Sequence, residues 1–273
     1  MTETPAWMKR NSQQPPSLQI DTSTPHAARM WNYWMGGKDN YEADRAAGDA
    51  VADAYPDIVA MAKESRQFLI RVVSFLAGEA GIRQFLDVGT GLPTMQNTHE
   101  VAQRIAPESR IVYVDNDPLV LAHARALLAN TTPEGVTSYV DADYNYPEQI
   151  IADAHNVLNF NEPVAVMFMG VLGYVAELSD MKSIVSTLME PFPSGSYLVL
   201  WDGTATGDAV SEGADKLVES GGVPYYLRTP DELAECFEGL QMVEPGMARI
   251  TEWRPDELQP APIDAYGAVA RKP

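Results

Sequence analysis

The stretch FLDVGTGLPT, residues 85–94, predicts a buried strand that runs into a glycine turn and then a helix. Gly89 and Gly91 have no Cβ, so the chain can turn sharply there and a ligand can approach the backbone. The helix, which we expect to begin at Thr94, offers unpaired N–H groups and the positive end of its dipole to a carboxylate or a phosphate. Asp87 ends the strand at the carboxyl edge, where open α/β sheets bind ligands.

The glycine spacing disfavours a nicotinamide or flavin dinucleotide. Their fingerprint, G-x-G-x-x-G, places a third glycine at position 94 when counted from Gly89, and that residue is Thr94. The D-x-G-x-G form suits a ligand that presents an ammonium group to Asp87 and a carboxylate to the loop. An amino-acid end therefore fits this turn better than a pyrophosphate does.

Acidic residues also end the next two predicted strands. In VYVDNDP, residues 112–118, Asp115 ends the second strand, where a carboxylate can accept hydrogen bonds from both hydroxyls of a ribose. In VDAD, residues 140–143, a side-chain oxygen can accept from an adenine amino group. We favour Asp141 for this contact and keep Asp143 as the alternative. Three acidic strand ends after a glycine loop describe a site for an adenosine that carries an amino acid.

The rest of the chain changes from purely helical patterns to alternating strands and helices. Residues 24–79 show only helical periodicity, whereas five later runs each read as a buried strand: QFLDV, RIVYV, VTSYV, PVAVMFM and SYLVLW. This alternation predicts a parallel sheet with helices on both faces. Residues 240–243 and 263–270 are joined by a proline-rich linker without a clear helix, which predicts an antiparallel pair at the end of the sheet. We expect a flexible arm at 1–20, a helical cap at 21–80 and a cofactor-binding domain at 81–273 that forms one globular unit with the cap.

Composition narrows the possible partners. The 273 residues include 19 Lys plus Arg and 38 Asp plus Glu, which gives a net charge of −19, and 45% of them are hydrophobic, as in an ordinary globular protein. We expect no transmembrane helix and no secretory signal. A single cysteine, Cys236, excludes an internal disulfide and favours a reducing, cytoplasmic setting. The negative charge would repel phosphate backbones, so we expect neither nucleic acid nor a membrane as a partner.

Together these motifs resemble a known class of enzymes. DVGTGLP, VYVDNDP and VDAD look like the successive cofactor motifs of class I S-adenosyl-L-methionine-dependent methyltransferases. Longer stretches resemble one poorly characterised family of that class, of the domain-of-unknown-function type: PHAARMWNYWMGGKDNYEADR, the block from FLDVGTGLPTMQNTHEVAQRIAP through YVDNDPLVLAHARALL, PSGSYLVL and LRTPDELAECFEGLQMVEPG. The resemblance covers residues 20–270. It implies S-adenosyl-L-methionine as the cofactor and a Rossmann-like α/β fold, in which a seven-stranded, mostly parallel sheet ends in an antiparallel strand and carries an N-terminal helical cap.

The resemblance also implies roles for the strand ends. Asp87, Gly89 and Gly91 should contact the methionine part of the cofactor, Asp115 the ribose and Asp141 the adenine. The full expected set of cofactor-binding residues is Asp87, Gly89, Thr90, Gly91, Asp115, Asn116, Asp141, Ala142 and Gly170. Pro93 departs from the third glycine that many of these enzymes have there, and it makes the loop more rigid.

The first helix suggests a lid. Tyr33 lies off the apolar stripe of that helix, and the glycines before Lys38 give the chain a place to bend over the cofactor. Tyr33 and Lys38, within residues 32–40, are therefore candidates for a lid or for contacts with the acceptor. Trp31 and Trp34 lie on the apolar stripe and are interpreted as core.

The remaining candidates are few. Tyr174 follows the fourth strand, at a junction that often lines the acceptor pocket in this fold, so it is a candidate acceptor contact. The histidines, His26, His99, His123 and His155, lack metal-ligand spacing, and we expect no metal site. His99 is interpreted as a structural histidine. No residue is assigned as a catalytic base.

The sequence thus predicts an S-adenosyl-L-methionine-dependent methyltransferase that acts on a small-molecule acceptor. Two alternatives from other classes remain. A non-catalytic binding module would bind the same cofactor but have no acceptor cavity beneath the helical cap. A nucleotide-dependent oxidoreductase would prefer NAD(H) despite Thr94.

Overall fold

The computed structural model describes residues 20–93, 96–127, 130–255 and 260–273. The predicted arm, residues 1–20, lies outside the described residues except for Ile20. Three helices come first: α1 (Ala27–Trp34), α2 (Glu42–Ala54) and α3 (Ile58–Gly78). The elements that follow are β1 (Gln84–Val88), α4 (Thr98–Ile105), β2 (Arg110–Asp115), α5 (Pro118–Leu127), β3 (Val136–Asp141), α6 (Pro147–Ala154), β4 (Ala165–Met169), α7 (Leu178–Met189), β5 (Tyr197–Gly203), α8 (Asp208–Glu219), α9 (Pro230–Ala234), β6 (Gln241–Met242), β7 (Ala248–Arg249) and β8 (Ala265–Arg271).

The strands form one mixed sheet in the order β3-β2-β1-β4-β5-β8-β6, with β7 paired to β8. β1 to β5 are parallel, and β8 runs antiparallel to both β5 and β6. The expected mostly parallel sheet with a final antiparallel strand is confirmed. β7 adds an eighth strand, whose two residues are too few to produce a periodic signal in the sequence. The strand order reverses between β1 and β4, which opens a crevice at the carboxyl ends of these strands.

Helices cover both faces of this sheet. Successive side chains of a strand point to opposite faces, so Phe85 and Met167 pack on the side of α3, whereas Leu86 and Val166 pack on the side of α6 and α7. β1 and β5 are buried along their whole lengths. Their continuous apolar runs are typical of strands that are covered on both faces.

The first three helices form the cap. A buried ion pair joins α1 to α2, with Arg29 Nε 2.9 Å from Asp44 Oδ2. The Asp44 carboxylate also accepts the backbone N–H groups of His26 and Tyr41, each at 2.8 Å, so its burial is offset by several hydrogen bonds. Within the described ranges no helix, including the 21-residue α3, has the apolar length needed to cross a membrane.

The turn after β1 requires its first glycine. Gly89 has a φ of +72°, and a Cβ there would lie 2.3 Å from the side chain of Val171. The following helix, α4, begins at Thr98 after the N-cap residue Asn97. The predicted start at Thr94 is therefore wrong; Thr94 itself lies outside the described residues. The loop between β1 and α4 is longer than the sequence pattern indicates, because the threonine is not the residue that caps the helix.

Candidate functional site

A cavity of about 350 Å³ opens at the carboxyl ends of β1, β2 and β4, beneath α1 and α3. The structure brings together on its wall eight of the nine residues that the sequence predicts as cofactor contacts, which are Asp87, Gly89, Thr90, Gly91, Asp115, Asn116, Ala142 and Gly170. The ninth, Asp141, does not line it. The cap supplies a wall of its own, which includes Trp31 and Met35 from α1 and Ser65 and Arg66 from α3.

Asp115 is held rigidly at the end of β2. Its Oδ2 accepts the backbone N–H of Gly91 at 2.8 Å, and its Oδ1 accepts that of Asp117 at 2.9 Å. Burial raises the pKa of this carboxyl, although both backbone hydrogen bonds favour its ionised form. Each carboxylate oxygen keeps a further lone pair. Asp115 can therefore accept two more hydrogen bonds from a ligand in the cavity without moving.

A buried carboxylate, that of Asp87, and a partly buried guanidinium, that of Arg66, line another part of the same wall. Asp87 is 3% exposed, accepts a hydrogen bond from Thr98 Oγ1 at 2.7 Å, and has its pKa raised to about 6 by burial. The positive charge of Arg66 opposes that rise. Arg66 Nε has no hydrogen-bond partner among the described residues, and burial lowers the pKa of the guanidinium. A carboxylate and a guanidinium on the same cavity wall are complementary to a zwitterion such as the end of an amino acid.

The sequence analysis did not identify Arg66, although a signal was available. On α3, Ala62, Arg66, Leu69 and Val73 follow one another at helical spacing, and all but the arginine are buried apolar residues. A charged residue within an apolar stripe needs a polar partner. Arg66 lies on the wall of the cavity, where a ligand can supply that partner. Trp31 is a second omission, because it lines the cavity in addition to packing in the core.

The two candidates for adenine recognition are placed differently. Asp141, at the end of β3, has an exposed side chain that is not part of the cavity wall. Asp143 is half-buried, and its Oδ2 accepts a hydrogen bond from Asn116 Nδ2 at 3.2 Å. Asn116 does line the cavity. Neither aspartate lines the cavity itself, but the alternative, Asp143, is linked to its wall through Asn116.

The two lid candidates lie away from the cavity. The Tyr33 hydroxyl donates to Asp49 Oδ1 at 2.7 Å, so this side chain faces α2, and the Lys38 side chain is exposed. Neither lines the cavity. Tyr174 does line it, as predicted for an acceptor contact, and its ring packs edge-on against Tyr225 at a centroid distance of 5.0 Å.

Two histidines, His99 and His26, make polar contacts around the site. His99 is 3% exposed, its Nδ1 lies 2.9 Å from the Tyr113 hydroxyl, and burial lowers its pKa, which supports the predicted structural role. His26 lines the cavity, with its Nδ1 2.9 Å from Asp117 Oδ2, and so ties the cap to the loop after β2. In the part of the chain that is described, no three His, Cys, Asp or Glu side chains converge to hold a metal ion.

The ends of β4 and β5 close the floor of the cavity. Gly170 has a φ of +78°, and a Cβ there would lie 2.6 Å from the ring of Trp201. Next to Trp201, Asp202 is 1% exposed and accepts hydrogen bonds from the Tyr225 hydroxyl at 2.7 Å and from Gly173 N–H at 3.1 Å. Burial raises the pKa of Asp202 to about 7.

A second, smaller cavity of about 60 Å³ adjoins this region beneath the cap. Its wall comes from α1, α2, α3, the end of β5, α8 and the segment after α8, and its described residues are mainly aromatic and aliphatic. Trp31 and Tyr174 line both cavities, so the two spaces are neighbours separated by these side chains.

Comparisons with known proteins identify the family and agree with the fold. Residues 13–273 match a family described as S-adenosyl methyltransferase. The solved structure of a DUF574 family protein from Streptomyces avermitilis is 46% identical, with a TM-score of 0.89 over 93% of this chain and 100% of that one. A candidate methyltransferase from Thermobifida fusca is 40% identical, with a TM-score of 0.86 over 94% of this chain and 98% of that one. A search of curated proteins found no match.

Proposed function

The chain belongs to the S-adenosyl methyltransferase family, whose cofactor is S-adenosyl-L-methionine, and on that premise we propose that it methylates a small-molecule acceptor from cofactor bound in the larger cavity. One observation carries the proposal: a single cavity gathers the fixed carboxylate of Asp115 and the neighbouring charges of Asp87 and Arg66. These are the groups that an adenosine joined to an amino acid requires.

The residues on the wall fit the cofactor part by part. Asp115 would accept both ribose hydroxyls, because its two oxygens are already oriented by backbone N–H groups. Asp143, held beside Asn116, would accept from the adenine amino group. Asp87 would pair with the ammonium group of the cofactor. Arg66 Nε, which has no partner among the described residues, would donate to the cofactor carboxylate. The volume of about 350 Å³ lies within the range of small-molecule and cofactor pockets.

When bound, the cofactor supplies a methyl group on a sulfonium, which is already a good electrophile. The chain's own residues would then position the acceptor and exclude water. Trp31 and Met35 cover the cavity from α1, and Tyr174 lies between it and the smaller cavity. No residue is assigned as a base.

Specific observations weigh against the alternatives. A non-catalytic module needs no acceptor space, whereas the smaller cavity lies beneath the cap and next to the cofactor site. A dinucleotide-dependent oxidoreductase needs a pyrophosphate site, whereas the wall after β1 carries the carboxylate of Asp87, which would repel a pyrophosphate. The net charge of −19 supports a small acceptor over a nucleic acid, and the single cysteine, Cys236, supports a cytoplasmic setting.

Calorimetric titrations test the proposal. We expect S-adenosyl-L-methionine and S-adenosyl-L-homocysteine to bind the wild-type protein and NADH not to bind. Asp115→Ala removes the ribose partner, which should weaken binding by about 1.5–3 kcal/mol, or roughly 10- to 150-fold. Asp143→Ala should also weaken binding, whereas Asp141→Ala serves as the matched control and should leave the affinity unchanged.

Two results would overturn this account. Failure of both sulfur compounds to bind would remove the methyltransferase function, and binding of NADH alone would favour the oxidoreductase. Loss of affinity in Asp141→Ala but not in Asp143→Ala would leave the cofactor in place and return the adenine contact to Asp141.

A further inference from the structure

We propose that the smaller cavity binds a single uncharged, apolar ring of the methyl acceptor, so that the acceptor belongs to the aromatic or similarly apolar ring compounds. This inference rests on the proposed function, because it concerns the second substrate of the same site. It is carried by the chemistry of the wall, by the size of the space and by its position.

The wall has no charge to offer a ligand. None of the described residues that line the smaller cavity is ionic at neutral pH. Three of its polar side chains already have partners: the Trp34 indole N–H donates to a backbone carbonyl of α2 at 3.1 Å, and the Tyr225 hydroxyl donates to Asp202 at 2.7 Å. The Tyr55 hydroxyl accepts a backbone N–H at 3.3 Å. A charged occupant would lose its water without a new partner, whereas an apolar one leaves no wall group unpaired.

The size of the cavity suits one ring. A buried water needs about 10–15 Å³ of cavity volume. A cavity of about 60 Å³ therefore has room for roughly four to six waters. That is about the room that a six-membered ring occupies. A long flexible chain or a fused polycyclic system would exceed it.

The position of the cavity points the ring toward the cofactor. Because Trp31 and Tyr174 belong to both walls, a substituent on a ring in the smaller cavity would extend past them into the larger one. One exposed apolar side chain also borders the cofactor site: Val223 is 56% exposed and lines the larger cavity. An exposed apolar group at a cavity wall favours an apolar ligand.

The test compares two probes that differ in one group, p-cresol and 4-hydroxybenzoate, on protein saturated with S-adenosyl-L-homocysteine. Binding is measured by calorimetry and by saturation-transfer NMR. We expect p-cresol to bind and the anion to bind at least about tenfold more weakly. Ala214→Leu places extra carbon atoms in the cavity and should weaken p-cresol by about tenfold or more while leaving the affinity for the homocysteine compound unchanged.

Ala209→Leu is the matched control, since Ala209 lies on the same helix with an exposed side chain and should change neither affinity. If Ala214→Leu does not fold, Leu227→Ala tests the same wall by enlargement, and it should strengthen 2-naphthol relative to p-cresol. Absence of p-cresol binding, equal binding of the anion, or p-cresol binding that is indifferent to both wall variants would overturn the inference. Each of these results can occur while S-adenosyl-L-homocysteine still binds, so the proposed function is judged separately.

Discussion

Replacing Arg66 with methionine should separate recognition of the amino-acid end of the cofactor from recognition of its adenosine. The guanidinium lies on the same cavity wall as Asp87, and its Nε has no partner among the described residues. The ligand carboxylate would supply that partner. Arg66→Met keeps the unbranched apolar stem of the side chain and removes only the charge and the donors. The loss is therefore that of a charge-assisted hydrogen bond, about 1.5–3 kcal/mol, or roughly 10- to 150-fold in affinity.

The assay is calorimetric titration with two ligands, S-adenosyl-L-homocysteine and 5′-methylthioadenosine, which lacks the amino-acid end. Only the first should lose affinity in Arg66→Met. Titrations at pH 8 keep Asp87 ionised, since its pKa of about 6 would rise when the nearby positive charge is removed. Lys63→Met removes the same charge from an exposed position on α3 and should change neither affinity. Equal losses for both ligands, or no loss for either, would refute the assignment of Arg66.

Two further variants test the floor of the site. Gly170→Ala should destabilise the fold by more than the roughly 1–2 kcal/mol that a positive φ costs, because its Cβ would also lie 2.6 Å from Trp201. Gly36→Ala is the control, since Gly36 has a φ of +80° with nothing within 4 Å of its Cβ position, and it should show only the backbone cost. Equal urea midpoints for the two variants would contradict this. Burial raises the pKa of Asp202 from 3.8 to about 7, so the folded protein holds the proton more tightly and the free energy of unfolding should fall as pH rises between about 4 and 7. Urea unfolding at each pH measures this, and Asp202→Asn should remove roughly 3 kcal/mol of the fall between pH 5 and pH 8. The control, Asp141→Asn at an exposed position, should keep the wild-type dependence of the unfolding free energy on pH. The same dependence in all three proteins would show that Asp202 does not titrate in this way.

The strand ends could be predicted from sequence because their signals are local. Asp115 ends one continuous apolar run, Asp87 is the last residue but one of another, and Gly89 follows Val88, so the sheet edge and the turn are encoded within a few residues. Asp141 shows the limit of this reasoning. The side chain of the last residue in a strand can point to either side of the edge, and the next turn decides which neighbouring residue faces the ligand. Here the structure leaves Asp141 exposed and holds Asp143 beside Asn116.

The cap residues could not be placed in the same way. Arg66 reaches the site only through the packing of α3 over the sheet, which depends on contacts distant in sequence. Trp31 and Tyr33 lie two positions apart on α1 and therefore face nearly opposite sides of that helix. The structure directs Trp31 to both cavities and ties Tyr33 to Asp49. Helical periodicity identifies the buried stripe, but it does not tell which part of that stripe borders a cavity.

A crystal structure of the protein with S-adenosyl-L-homocysteine tests the central claim most directly. The account predicts the ligand in the larger cavity, with its ribose hydroxyls on the Asp115 carboxylate and its own carboxylate on the Arg66 guanidinium. A ligand bound at any other place, or one bound in this cavity in the reverse direction with its adenine beside Arg66, would contradict it.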